Sequence, residues 1–343
     1  MIETHGGQPW RQQYFFNTSE NKDNIEWVKV GNLPEPLYDS QAVVTKNRIY
    51  LLGGDNGYHP VDTVYTASIG DDGTIGSWSK SYPLPITLTQ SKAVVVKNRV
   101  YLMNGSNWTN EVSIAFMASI EEDGSIGKWK ECNGTPLPVF DSEVIAIKNR
   151  IYVLGGVIND TSSNKVYMTT VKEDGTLDDW AEGDPLPGPL SCSQFAIVKN
   201  RVYLLSGDSG WNNPTPNVYV ANINNDGTLG KWMVDNPLPN ALLSAQVVTT
   251  NSKIYLLGGT GYNNDNEEDI PTDSIHVANI DKYGGLGGWT IKGTLPKPLH
   301  SFQVVTTKNY IYLLGGYGSE EYSDIYRASF NGGLNDYSNY YSN

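Results

Sequence analysis

The chain is poor in the side chains on which metal and disulfide chemistry depends. Its 343 residues include two cysteines and four histidines. Cys132 and Cys192 fall at different places in the repeats described below, so a planned disulfide is not expected. Two cysteines support neither a disulfide framework nor a zinc site, and they leave the redox compartment unread. His5, His59, His276 and His300 are too scattered for a histidine-rich metal centre. Basic residues are also scarce, with 24 Lys and Arg against 37 Asp and Glu, for a net charge of −13. A nucleic-acid partner is therefore not expected, because phosphate binding needs clustered Lys and Arg. Anionic membrane surfaces would attract such a chain little. No run approaches the roughly 20 apolar residues of a membrane-spanning helix, so membrane insertion is not expected.

Residues 1–24 lack an apolar core run and a small-residue cleavage site, so they do not read as a secretory signal. They read as a polar arm whose Trp10, Tyr14, Phe15 and Phe16 could dock on a carrier assembly. Serine nucleophile elbows and phosphate-cradling glycine loops are missing too, since the glycines here end strands. No cofactor is expected. Asn107-Trp108-Thr109 and Asn133-Gly134-Thr135 fit the glycosylation triplet but carry no weight without a secretory signal.

The chain does have a repeat. Tyr50-Leu51-Leu52-Gly53-Gly54 returns at Tyr101, Tyr152, Tyr203, Tyr255 and Tyr312, six copies in all. Each copy has a Trp, a Leu-Pro segment such as Leu33-Pro34-Glu35-Pro36-Leu37, and an apolar run such as Ala42-Val43-Val44. A Lys-Asn-Arg turn, the glycine-ended strand, a variable loop, a second apolar strand (Val64–Ile69) and an Asp-Gly turn follow. Val, Ile and Tyr between Gly, Asn and Asp turns are the signature of short antiparallel strands, and Asp-Gly between two such runs is a hairpin signal. Each copy is therefore a four-stranded meander, with strands here lettered a to d. From each Trp to the next glycine-strand Tyr is 23 residues, as from Trp27 to Tyr50 and from Trp289 to Tyr312. From the strand-c aromatic to the next Trp is 13, as from Tyr65 to Trp78. All length variation falls between strands b and c, from 15 residues (Tyr50–Tyr65) to 21 (Tyr255–His276).

A single four-stranded sheet cannot bury both its faces, whereas radial stacking of several buries them and leaves only short protected edges. The pattern resembles the kelch family of β-propellers in its Gly-Gly after an apolar strand, its tyrosines and its evenly spaced Trp. The resemblance covers about residues 25–337. The Asp72–Trp78 form (DGTIGSW), echoed at Asp226–Trp232, looks more like bacterial and viral kelch proteins than animal ones. Copies two and four depart by losing the first Gly (Asn104-Gly105, Ser206-Gly207), and copy five carries His276 where the others have Tyr or Phe. The expected fold is all-β: a six-bladed propeller of four-stranded antiparallel blades over 25–337, with 1–24 as arm and 338–343 as tail. The last blade needs a strand d. Trp27 fits by spacing and would close the ring from the N-terminal side, and Leu334-Asn335-Asp336-Tyr337 is the rival.

In such a meander the d–a and b–c connections share one face, and the a–b and c–d turns share the other. The second face, with Lys46-Asn47-Arg48 and its counterparts beside the Asp-Gly turns, reads as uniform turn chemistry and weak surface ion pairs. The first face varies, and loops on a rigid scaffold are where binding residues usually sit. Its b–c loops offer Tyr58, His59, Trp108, Trp211, Tyr262 and Tyr317, with Tyr322 beside the last. Its axial mouth offers Asp39, Gln90, Asp141, Cys192, Ser244 and Ser301, with Tyr38, Phe140 and His300 alongside. Aromatic platforms among Asn, Asp and Gln suit sugars, although such aromatics also pack their own loops. Asp39 and Asp141 are a carboxylate pair of the sort glycoside cleavage uses, or two solvated loop carboxylates. Asp265, Glu267, Glu268 and Asp269 are a weak Ca²⁺ candidate without EF-hand spacing.

Three functions remain open at this point. The first is a non-catalytic binding module for a glycan or protein surface, an adhesin displayed on a cell or on a phage tail or capsid. The second is a sugar-modifying enzyme of the sialate-epimerase type, which the resemblance allows but for which the mouth shows no Arg. The third is a structural spacer or intracellular scaffold. Localisation follows the same division: virion or cell surface if an assembly carries the chain, otherwise cytoplasmic.

Overall fold

The structure, a computed structural model, describes residues 25–210, 213–263 and 268–330, with the backbone alone at 262, 263, 268 and 269. Six four-stranded antiparallel sheets stand around one axis. Blade one runs Gln41–Thr45, Arg48–Leu52, Val64–Ser68 and Ser79–Lys80. The inner strands of blades two to six start at Lys92, Glu143, Gln194, Gln246 and Gln303. The outer strand of blade six is Trp27–Asn32, which pairs antiparallel with Asp324–Ser329 in the register Trp27 to Ala328 and Asn32 to Asp324. The ring thus closes through the strand that begins at Trp27, as its spacing requires. Lys29 and Lys297 hold Asp324 from either side, each at 2.5 Å, which fastens the N-terminal strand to its neighbours. The rival strand around Tyr337 lies outside the described residues.

The core is six wedges, one between each pair of neighbouring blades. Between blades two and three, for example, Val94, Tyr101 and Met117 meet Val144, Ile151 and Tyr167. Strand b is packed on both faces, because residues pointing alternately left and right meet a different blade on each side. That is why Ile49, Tyr50, Leu51 and Leu52 are all buried, and why the strand reads as an unbroken apolar run. The strand-b tyrosines also tie blade to blade. Their hydroxyls donate to the glycine carbonyl of the next blade's c–d turn: Tyr50 to Gly124 at 3.1 Å, Tyr101 to Gly175 at 2.8 Å, Tyr152 to Gly227 at 2.9 Å and Tyr203 to Gly284 at 2.8 Å. The Trp before each strand d lies further out. Trp232 and Trp289 are buried, whereas Trp78, Trp129 and Trp180 are half-buried. Trp129 and Trp180 donate Nε1–H to the Tyr82 and Asn133 carbonyls of the preceding blade.

The Asp-Gly segments are not two-residue hairpins. Strand c of blade one ends at Ser68 and strand d starts at Ser79, and the Asp-Gly lies in a tight turn from Gly70 to Thr74 inside that connection. Asp72 Oδ1 accepts from both the backbone N and the hydroxyl of Thr74, which explains the Asp-Gly-Thr triplet and holds the Asp72 carboxyl below its usual range. The b–c connections differ from one another, as expected. Blades three and five add small hairpins, Val157–Ile158 with Thr161–Ser162 and Thr260–Asn263 with Glu268–Pro271. Blade four instead lengthens its own strands to Arg201–Asp208 and Pro214–Asn222.

The glycine pair positions the mouth. The second glycine, at 54, 105, 156, 207, 259 and 316, has φ of 88–129°. A Cβ on Gly54 would come within 2.7–2.9 Å of Ser40 and of the Tyr38 carbonyl, so only glycine lets the end of strand b pass beneath the d–a segment. The first glycine sits at φ near +60°, a region open to Asn at modest cost. Asn104 and Ser206 occupy it at φ 56° and 54°. Each also does bonding work there: Asn104 Oδ1 accepts from the Thr135 hydroxyl, and Ser206 Oγ accepts from Leu242 N.

Candidate functional site

Where each d–a segment reaches the axis, one residue turns into the left-handed region. These are Asp39, Gln90, Asp141, Cys192, Ser244 and Ser301, at φ of 48–53°. In five of the six the turn presents the backbone N–H to the preceding blade. Asp39 N donates to Ser301 O, Gln90 N to Asp39 O, Cys192 N to Asp141 O, Ser244 N to Cys192 O and Ser301 N to Ser244 O, at 2.9–3.2 Å. A girdle of five main-chain hydrogen bonds therefore runs round the mouth, open between blades two and three, where Gln90 Nε2 reaches Asp141 through its side chain instead, and its side chains point into the opening. Non-glycine residues held at positive φ store strain that surrounding structure must offset; here the girdle and the wedges beneath it do so.

A second ring lies beneath the girdle: Gln41, Lys92, Glu143, Gln194, Gln246 and Gln303, each the first residue of its strand a. The inner edge of a strand a has no fifth strand to pair with. Glutamines fill that role in part: Gln303 Oε1 accepts from Ala42 N, and Gln41 Oε1 from Ala93 N. In blades two and three the glutamine is replaced by an ion pair, Lys92 Nζ to Glu143 Oε1 at 2.8 Å. Gln90 Nε2 donates to Asp141 Oδ2 at 3.1 Å. One cation thus faces three sunken carboxyls.

The carboxyls respond accordingly. Burial, then repulsion from Asp141, pushes the Asp39 carboxyl up to about 7. Burial also raises Asp141 and Glu143, with Lys92 acting against it in both. Burial works to depress Lys92, and the carboxylates of Glu143, then Asp141 and Asp39, together outweigh it, so the amine stays charged. Burial and then Asp141 lift the Cys192 thiol well above its ordinary range, which leaves it a neutral thiol and a poor nucleophile. Asp39 and Asp141 are therefore half-buried members of a coupled charge group, a correction to their reading as solvated loop carboxylates. Lys92 and Glu143 escaped the sequence reading because each opens an apolar strand. The signal was there to be found: the same position is polar in all six repeats, ahead of a run that is Ala, Val, Ile and Phe with Thr at its end in three of them. The opening between the two rings is small, about 30 Å³.

The rim carries the aromatics. Tyr38, His300 and Tyr317 meet where blade six joins blade one, with Tyr38 edge-on to Tyr317 at 5.5 Å and His300 against Tyr317 at 5.3 Å. Burial lowers the His300 imidazole to about 4. Burial, then the Asp55 carboxylate, raises the Tyr38 phenol. These three are packed together rather than free. Tyr322 is also used internally, with Lys297 Nζ 3.7 Å above its ring and its hydroxyl 2.9 Å from Ser319 Oγ.

Tyr58 and Trp108 are different. Each stands at the tip of an Asx turn: Asn56 Oδ1 accepts from Tyr58 N and His59 N, and Asn107 Oδ1 from Thr109 N and Asn110 N. The turns direct the rings outward, and Tyr58 is 84% and Trp108 59% exposed. His59 is exposed beside Tyr58 with Nδ1 against the Pro60 carbonyl. Trp211 lies outside the described residues, as do Asp265 and Glu267. Tyr262, Glu268 and Asp269 are placed by backbone alone, in the small hairpin of blade five.

The opposite face is less uniform than its turns promised. In blade five, Tyr283 stands where the turns of blades one to four have aspartate, and Asp281 takes over the capping by accepting from Tyr283 N and Gly285 N. Lys148 and Lys199 bond turn carbonyls, those of Asn225 and Asp281.

The geometry defines a class of protein: a six-bladed β-propeller with a narrow polar axis, one face of repeated turns and one face of dissimilar loops. No family model matches the chain. Among curated proteins it is similar to Kelch repeat and BTB domain-containing protein 12 of Danio rerio, 27% identical over 176 residues, which are 46% of this chain and 27% of that one. It is similar to Kelch-like protein terF of Aspergillus terreus, 26% identical over 306 residues, 84% of this chain and 63% of that one. Beta-scruin of Limulus polyphemus is 28% identical over 209 residues, 59% of this chain and 22% of that one. The chain thus spans less than two thirds of the length of each. Among solved structures, one described as "Structure of YjhT" superposes with a TM-score of 0.69 over 86% of this chain and 95% of that one, at 13% identity, a likeness of fold. The relatives are kelch-repeat proteins, and six four-stranded blades are consistent with a kelch-repeat family. A kelch-repeat propeller suggests a protein-interaction module.

Proposed function

We propose that the chain is a non-catalytic binding module that takes a protein surface on the face built from the d–a and b–c loops. The observation that carries this reading is the outward presentation of Tyr58 and Trp108 on Asx-turn tips, on the face where blade differs from blade. Large exposed aromatics on a rigid support are the usual anchors of an interface, because they bury much area at little entropic cost. The same face would serve an adhesin, and an aromatic tip also suits a sugar ring.

The axial charge group favours a second reading, an enzyme acting on small molecules, since perturbed carboxyls beside a lysine are typical of catalytic sites. The size of the opening weighs against it. About 30 Å³ has room for roughly two waters, whereas small-molecule sites run to roughly 300–1,000 Å³. Asp39, Lys92 and Glu143 are better placed to hold the inner strands together than to meet a sugar.

The test is a parallel screen of the purified chain against a displayed peptide library and a glycan array. Hits are re-measured with Tyr58→Ser/Trp108→Ser and, as control, with Tyr283→Ser on the opposite face. Peptide hits lost only in the double variant support the proposal. Glycan hits lost in it would transfer the face to an adhesin of sugars. Hits indifferent to it, or lost with Tyr283, would overturn the assignment of the face.

A further inference from the structure

The a–b turn of each blade faces the c–d turn of the next, and for the first three blades the meeting is one of opposite charges. Asp123, Asp174 and Asp226 are held below the usual carboxylate range first by Ser125, Thr176 and Thr228 of their own turns, and further by Arg48, Arg99 and Arg150 of the preceding blade. Where blade four meets blade five the pattern breaks. Arg201 keeps the arginine's place, but the aspartate's place is taken by Tyr283. The residue before it changes too, from Glu122 and Glu173 in blades two and three to Lys282.

An open notch of about 670 Å³ lies at this junction, within the roughly 300–1,000 Å³ of small-molecule sites. Its lining carries Lys199, Arg201 and Lys282 and, among the described residues, no carboxylate. Asp281 and Asp235 act on Arg201 from outside it. The Asp281 carboxylate is committed to its own turn, where Oδ1 accepts from Tyr283 N at 2.7 Å and from Gly285 N at 2.8 Å. That turn is fastened to blade four: the Tyr203 hydroxyl donates to the Gly284 carbonyl at 2.8 Å, and Lys199 Nζ to the Asp281 carbonyl at 2.9 Å. Tyr283 is 68% exposed, with Lys282 Nζ 4.8 Å from its ring centre. Asn222, Asn224 and Asn225 belong to the same lining. Arg201 is half-buried and the other groups named in the lining are exposed, so a ligand can reach them all.

We propose that this notch binds a nucleoside monophosphate, its phosphate among Lys199, Arg201 and Lys282 and its base on Tyr283. A guanidinium fork beside two ammonium groups suits the three oxygens and near-double charge of a phosphate monoester. The single carboxylate that stands here in the other blades would answer only one of those cations. Stacking on a tyrosine is open to any base, and asparagine amides, each with donors and an acceptor, match a base's polar edge. Three cations answer one phosphate group and not the run of phosphates in a strand, so a net charge of −13 is no obstacle to a mononucleotide. The notch lies on the face of repeated turns, opposite Tyr58 and Trp108, so it stands or falls independently of the protein-binding reading given above.

The probe is adenosine 5′-monophosphate, titrated at low salt into the ¹⁵N-labelled chain and followed by NMR. The expected result is a saturable shift of amides in 199–201, 222–225 and 281–285. Adenosine, which lacks the phosphate, and phenyl phosphate, which lacks the polar edge, should each bind about tenfold more weakly. Arg201→Gln should weaken binding of the monophosphate by about tenfold as well. Tyr283→Asp gives blade five the Asp-Gly that blades one to four carry. It should keep the fold and its melting temperature while abolishing binding, since it removes the ring and sets a carboxylate beside the phosphate's place. Tyr283→Phe, which keeps the ring, should bind as the wild type does. No saturable shift in these segments, adenosine or phenyl phosphate binding as tightly as the monophosphate, or undiminished binding in folded Arg201→Gln and Tyr283→Asp would each overturn the proposal.

Discussion

The Tyr312 hydroxyl donates to the Gly73 carbonyl at 2.8 Å, joining blade six to blade one across 239 residues of sequence. It is the ring-closing member of the series in which Tyr50, Tyr101, Tyr152 and Tyr203 reach the next blade's turn. Arg327 Nη1 donates to the same carbonyl at 2.8 Å, and its guanidinium lies 4.7 Å from the Tyr310 ring centre. The closure is thus held at its a–b and c–d face by two donors on one acceptor, and at its outer edge by the strand from Trp27 to Asn32.

Because Gly73 has two donors, Tyr312→Phe alone should cost about 1 kcal/mol or less. Arg327→Ala should cost a similar amount. Together they leave a buried carbonyl unpaired, so the double variant should lose more than the sum, by about 1 kcal/mol. Urea denaturation of the four proteins gives the coupling directly. Strict additivity would show that the shared carbonyl does not fasten the ring.

Lys92 and Glu143 form an ion pair of which the carboxylate is nearly wholly buried. Lys92→Met leaves Glu143 among Asp39 and Asp141 without its cation, which should destabilise the chain by about 3–5 kcal/mol at pH 7. Adding Glu143→Met should recover most of that loss, since a matched apolar pair replaces a matched charged one. Thermal and chemical denaturation of the single and double variants check this. A double variant as unstable as the single would mean that the charges, rather than their balance, are needed.

Asp39 carries a pH dependence whose sign is fixed by its surroundings. Its ordinary value is near 4 and the mouth raises it to about 7. Between those values the folded chain keeps a proton that the unfolded chain has lost. The group's contribution is therefore most favourable below pH 4 and is lost as pH rises through 7. Asp39→Asn removes this dependence, so the variant should exceed the wild type at pH 8 by about 1–3 kcal/mol and match it more closely at pH 4. Denaturation midpoints at pH 4, 6 and 8 measure it. A wild type that gains stability relative to Asp39→Asn on going from pH 4 to pH 8 would contradict the burial of this carboxyl.

Much of the ring can be read from residue spacing. The constant intervals from Trp to Tyr and from strand-c aromatic to Trp reflect a blade whose d–a–b and c–d stretches keep the same path and the same neighbours, while strand lengths vary at the b–c end. The paired glycines reflect a close crossing that no Cβ survives, as at Gly54. The choice of Trp27 for the closing strand followed from the same arithmetic. The Asp-Gly turns were legible as turns but not as the short Asx-capped loops they are, because Asp72 acts through Thr74 rather than through a hairpin register.

The site was legible only in part. Exposed aromatics and packed ones look alike in sequence, and it took the fold to separate Tyr58 and Trp108, held outward by Asx turns, from Tyr38, His300, Tyr317 and Tyr322, which serve one another or Lys297. His276 looked like a mild departure from a pattern and proved to be a buried ring whose Nε2 has no hydrogen-bond partner.

The sequence by itself determined the number of blades, the strand order within them and the face on which they differ, because each of these depends on local spacing that every repeat restates. Only the tertiary structure decided which side chains share a volume. Asp39, Lys92, Asp141 and Glu143 belong to three blades and about a hundred residues of chain, and what makes them one charge group is their convergence on one narrow axis, where burial weakens the screening between them.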